Sequence, residues 1–402
     1  MTHRLTRRLV AVVLAGSLIG IAACSDDDED PEGPAETTTS QGEAGLSDEA
    51  ALAAATTYAD LVVAAYDDTI ASATELQTAI EAFVANPTED TLVDAQGAWF
   101  EGREVYGPTE AFRFYDGPID NPDDGPEGQI NAWPLDEAYI DYVDGDAEAG
   151  IINDAAGVPE ITTDALVAAN EEGGESNIST GWHAIEFLLW GQDLSADTAG
   201  ARPLTDYTTS PVAERRATYL SLLAQLLVDD LTSVRDQWDP EAGAYREELL
   251  ADPDQAVANI FRSMGALSQG ELAGERIAVA YDTKDQEDEH SCFSDNTTLD
   301  IVGNTIGIRM IYTGQYDGVD GPSLSEAVAE VDPEADAALL EQLDANVALA
   351  EALEAPFDQL ILGEDDAPGR VALLEIITGL QEQGDAVAAL AGDLGYSISL
   401  EI

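Results

Sequence analysis

Between Ser47 and Asn86 the apolar side chains fall at Tyr58, Leu61, Val62, Ala65, Tyr66, Ile70, Ala73, Leu76, Ile80, Phe83 and Val84, and the run stops at Asn86-Pro87. That spacing is the period of an α-helix, about 3.6 residues per turn, and proline cannot continue one. The pattern recurs from Tyr219 through Leu223, Leu227 and Leu231 to Trp238, closed by Asp239-Pro240. Further stripes cover 256–281, 339–357 and, after Pro368, 373–394. A long apolar stripe needs other stripes to bury it, so the chain is expected to be all-α and built of helix bundles. At about 150 residues per domain, two domains are expected. A run of turn formers near Thr198 to Pro211 sets them at 46–205 and 206–402.

The first 23 residues have another use. His3, Arg4, Arg7 and Arg8 make a basic start, Leu9 to Ala23 an apolar run, and Ile21-Ala22-Ala23-Cys24 a small-residue cleavage box. This is the pattern of a lipoprotein export signal, too short to be kept as a membrane span. Cys24 would then be the lipidated first residue of the mature chain, anchored on the outer side of a membrane. Residues 24–45 hold no large apolar side chain except Cys24 itself and are expected to be a disordered acidic tether.

Charge excludes whole classes of partner. The chain has 81 Asp+Glu against 15 Lys+Arg, a formal net charge of −66, and Lys284 is its one lysine. No basic patch could offset phosphate repulsion, so nucleic acid is excluded, and an acidic polysaccharide is disfavoured on the same ground. Self-repulsion on this scale is tolerable where salt screens it, which points to a hypersaline setting. With Cys24 lipidated, Cys292 has no disulfide partner.

Few side chains remain that could carry chemistry. His183 and Glu186 stand three apart in Gly181-Trp182-His183-Ala184-Ile185-Glu186 and share a helical face. They could serve one metal ion, or form a buried His bonded to its own Glu. The zincin His-Glu-x-x-His is absent, as are the Gly-x-Ser-x-Gly elbow, phosphate loops and dinucleotide fingerprints. The last histidine lies in Asp288-Glu289-His290-Ser291-Cys292-Phe293-Ser294-Asp295-Asn296, either a metal-binding segment or a turn that caps the next helix. Glu110 and Arg113 sit among Phe112, Phe114 and Tyr115, where the arginine either neutralises a buried carboxylate or binds an anion. A faint echo pairs Ile185–Gln192 with Ile308–Gln315, which suggests a duplication.

Together the Gly-Trp-His-Ala-Ile-Glu motif, Glu110 to Pro118, Asn131 to Glu137 and Asp288 to Asn296 resemble the ordered blocks of imelysin-like proteins, in particular the iron-regulated branch. The resemblance implies two related helix-bundle domains in an exported, often lipidated envelope protein tied to iron acquisition, with an iron-transport system as a further partner. On that basis His183 and Glu186 are expected at a metal ion, iron before zinc, with Glu110, Arg113, His290 and Asp295 completing the pocket. The family was first grouped with metallopeptidases, which leaves a peptidase using His183 and Glu186 as the alternative. Thr298 stands where the resemblance leads one to expect histidine.

Overall fold

The computed structural model describes residues 45–402 except Ala196 and Ala355. The export signal, Cys24 and nearly all of the tether therefore lie outside the described residues. Within them the chain is helical, with no strand beyond a lone Val143–Asp146 bridge. No described helix is long and apolar enough to cross a membrane.

Eight helices organise the body: α1 (Asp48–Ala85), α2 (Glu89–Tyr106), α3 (Gly181–Trp190), α4 (Ala213–Asp236), α5 (Pro253–Gly265), α6 (Thr297–Thr313), α7 (Pro333–Glu351) and α8 (Pro368–Asp393). Local chemistry sets their ends. Ser47 caps α1 by accepting from the Ala50 amide, and Thr88 and Thr91 form a reciprocal capping box at α2. Asp252-Pro253 and Asp332-Pro333 each join a capping carboxylate to a proline that needs no amide partner in the first turn.

Neighbour relations close into two rings of four. In the first, α1 packs on α2, α2 on α3, α3 on α4 and α4 back on α1; in the second, α5, α6, α7 and α8 do the same. Because α4 completes the first ring, the connection from the first ring to the second runs from Asp236 to Pro253. The described residues nevertheless cluster as one compact unit. The stretch near 205 is tied down by charge: the buried Asp141 carboxylate accepts from Arg202 Nη1 at 2.8 Å and from Arg216 Nε at 2.7 Å.

Arginine is used this way throughout. Arg103, Arg202, Arg216, Arg276 and Arg370 are all buried. Arg215 donates to the carbonyls of Ile151, Ile152, Val158 and Pro159, and Arg370 to those of Tyr281 and Ile361. The scarce cations hold the interior together, several of them against buried acids such as Glu110, Asp141 and Asp300, while most of the acids lie outside the buried core.

α5 does not end as an α-helix. It runs on through Ala266–Ala278 in π geometry before a last α turn, Val279–Thr283. A π segment of this length is rare, since i→i+5 winding normally appears as a single bulge, often at a functional site. The echo of Ile185–Gln192 and Ile308–Gln315 has a local cause: each helix ends on a glycine with positive φ, Gly191 at 74° and Gly314 at 64°. His183 is fully buried while its counterpart Ile306 is 39% exposed, so the echo does not join equivalent environments.

Candidate functional site

Helix α3 is buried at every position, so whatever His183 and Glu186 do happens away from bulk water. The shared face brings them together as expected, but against each other: His183 Nδ1 and Glu186 Oε2 share a hydrogen bond of 3.0 Å. The other oxygen, Oε1, accepts from the Ser294 amide at 2.9 Å and its hydroxyl at 2.7 Å. Both carboxylate oxygens are thus taken, and the pair does not present two ligands to one ion. What His183 does present is Nε2, buried and without a hydrogen-bond partner.

The second imidazole comes from the loop before α6. The His290 ring lies 4.6 Å from the His183 ring, centroid to centroid, at 70°. Trp133, from the aromatic loop that precedes α3 in the chain, packs edge-on against His183 at 5.0 Å. His290 repeats the arrangement of His183, with Nδ1 3.2 Å from Asp300 Oδ2. Asp300 is itself held by Arg103, Ser291 and Asn296. Its position on α6 and that of Arg103 on α2 carried no signal in the sequence, because neither belongs to a recognisable spacing with histidine.

Electrostatics favours neutral imidazoles. Burial, then the neighbouring His290 and Arg103, holds His183 well below the usual histidine range. Burial and Arg276 bring His290 down to about 4 against the pull of Asp300. Burial pushes Glu186 up to about 8, although the Ser294 bonds oppose it. Asp300 stays far below the carboxylate range: burial would raise it, but Arg103 and the His290 and Ser291 bonds prevail. Neutral imidazole is the form that binds metal.

The other expected residues divide. Glu110 and Arg113 form an adjoining network: Glu110 accepts from Tyr106 at 2.6 Å, from Arg113 at 2.8 Å and from Arg276 at 2.5 Å. Arg113 also pairs with Glu127 at 3.0 Å. Its role is to neutralise buried carboxylate; neither residue meets His183. Asp295 is pushed up to about 7 by burial and then by Asp358 and Asp193, the acids it faces. Cys292 is buried with its thiol pushed well above the usual range, so it offers no ready thiolate.

Among the described residues no three His, Cys, Asp or Glu side chains are arranged to hold a metal ion between them. Each imidazole keeps one nitrogen without a hydrogen bond to the described residues. Two larger hollows, of about 1050 and 500 Å³, are lined from 138–158 with 210–216 and from 142–147 with 190–203, and touch neither histidine. A cavity of about 260 Å³ reaches His290.

An all-helical protein with two buried histidines, each oriented by a carboxylate and brought together from α3 and the loop before α6, is the class that fold and site define. The imelysin profile matches residues 62–387, and the chain belongs to that family. It is 27% identical over 339 residues to iron-regulated protein A of Synechococcus elongatus, covering 81% of this chain and 82% of the relative. The fold matches the crystal structure of an iron-regulated protein A precursor from Parabacteroides distasonis with a TM-score of 0.67 at 19% identity, over 89% of this chain and 98% of that one.

Proposed function

We propose that this is a membrane-tethered envelope protein that binds a metal ion, iron before zinc, as cargo for uptake. One observation carries the reading: each histidine has Nδ1 engaged by a carboxylate, which fixes the ring and leaves Nε2 as the donor. Carboxylate-oriented imidazole is the usual state of a metal-binding histidine. The buried, unpartnered Nε2 of His183 is otherwise a cost to the fold. Iron and zinc both accept imidazole nitrogen. The relative named for iron regulation supports iron. Glu186 acts by orienting His183, and Asp300 by orienting His290.

The peptidase alternative needs a carboxylate free to act as general base. Glu186 has both oxygens engaged, which disfavours it.

Calorimetric titration with ferrous and zinc ions in molar salt tests the proposal. His183→Ala and His290→Ala should each abolish the tight phase. Glu186→Gln should weaken it about 10- to 100-fold, as loss of an orienting carboxylate does. Equal binding by all four proteins would reduce the histidines to core packing, and metal-dependent proteolysis lost in Glu186→Gln would establish the peptidase.

A further inference from the structure

We infer that the cargo arrives as a hydrated divalent cation through the cavity beside the π-helical segment, drawn in by Glu275 and Asp288. This rests on the metal-binding reading of the two histidines and names the form of metal they take.

The cavity of about 260 Å³ is lined by Trp133, Glu271, Glu275, Arg276, Asp288 and His290, among others. His290 is only 3% exposed, and beyond its Nδ1 contact with Asp300 it makes no hydrogen bond with a described residue. A nearly buried side chain with one nitrogen uncommitted therefore stands at the inner wall. The π winding builds the opposite wall. Glu271 and Glu275 from it, and Val279 from the α turn that follows, all line the cavity.

Charge selects the sign of the visitor. Arg276 is the cation of the lining, but its donors go to Glu271, Glu110 and Asn304, so Arg276 and Glu271 offset each other. Glu275 is exposed and Asp288 half-buried. Neither forms an ion pair with a described residue, and Asp288 accepts only from the Thr283 hydroxyl. The remaining field is negative, which repels anionic iron chelates and porphyrin carboxylates.

Size narrows the choice further. The volume is below the roughly 300–1,000 Å³ of pockets that take drug-sized ligands. At about 30 Å³ per water, it holds an ion with its inner hydration shell. The histidine centre in turn supplies too few protein donors to strip that shell, so retained water completes the coordination.

The test is stopped-flow mixing with cobaltous ion, whose visible absorption reports nitrogen ligation, in 0.2 M and 2 M NaCl. A variant carrying Glu275→Gln and Asp288→Asn should associate several-fold more slowly than wild type at low salt, with an unchanged dissociation rate and no difference at high salt. Glu247→Gln with Glu248→Gln removes the same charge from the helix Ala244–Ala251, which does not line the cavity. It should behave as wild type. Equal association by the cavity variant and wild type at low salt would overturn the entry route. Histidine-dependent binding of ferric citrate or ferric protoporphyrin, but not of the free ion, would overturn the cargo class and leave the metal reading standing. Cobalt binding that survives His183→Ala and His290→Ala would overturn both.

Discussion

Glu110 shows what a residue type can and cannot reveal. An isolated buried carboxylate costs several kcal/mol, and here Tyr106, Arg113 and Arg276 remove that cost. Arg113 was legible as a neutralising partner because it sits in an aromatic segment; Arg276 was not, because it comes from another helix far along the chain. Burial alone would raise the Glu110 pKa, but the two arginines hold it well below the usual range. A depressed folded pKa contributes stability above the unfolded value, near about 4.3, and loses it as pH falls toward the folded value. Glu110→Gln should therefore destabilise by about 3 kcal/mol at neutral pH, and the gap should narrow below about pH 4. Denaturant melts of both proteins at pH 7 and pH 3 check this. A similar limit applied at the histidine pair: spacing placed His183 and Glu186 side by side, yet only three dimensions reveal that Ser294 occupies the free oxygen.

Among elements, long apolar stripes with a proline at one end were the readable ones, and α1, α4, α7 and α8 fall close to where periodicity puts them. α2 was hidden because its buried face includes Gly102 and Arg103 beside Leu92, Ala95, Trp99 and Tyr106. A buried arginine reads as a solvent face. The stripe over 256–281 marked the helix that holds the π segment but not its winding, since an apolar pattern does not show which backbone hydrogen bonds close the turns. At α3 the first glycine of the motif has a structural reason. Gly181 has φ of +85°, and a Cβ there would fall against the carbonyl oxygens of Ile130 and Gln129. Gly181→Ala should cost about 1–3 kcal/mol and, by shifting the start of α3, weaken metal binding. Thermal melts beside a zinc titration test both, and an alanine variant with unchanged melting and affinity would show that the turn is not required.

For the whole molecule, the all-helical class was legible, but the place where one ring ends was not. Turn formers near 205 read as a linker, whereas Asp141 with Arg202 and Arg216 makes that stretch part of the first ring. The acidic surface predicts salt dependence. The Debye length falls from about 10 Å at 0.1 M to about 3 Å at 1 M, so the melting temperature should rise steadily into molar NaCl. A midpoint indifferent to salt in circular dichroism would remove the hypersaline reading. Anchoring has its own test: Cys24→Ser should move the protein from the membrane fraction to the soluble one, since lipid would be what holds it. Retention of the variant on membranes would show another anchor.

The inward placement of arginine also governs how the protein meets trypsin, which cleaves only after Arg and Lys. Arg103, Arg202, Arg216, Arg246, Arg276 and Arg370 are all buried, whereas Lys284 is exposed and follows the end of the π-containing helix. Within the described residues, where the other arginines are at least partly buried, digestion of the native chain should begin after Lys284, separating that helix from the segment that carries His290. Cuts at the buried arginines must wait for opening of the fold, so at protease levels where cleavage outpaces reclosing their rate is the rate of unfolding.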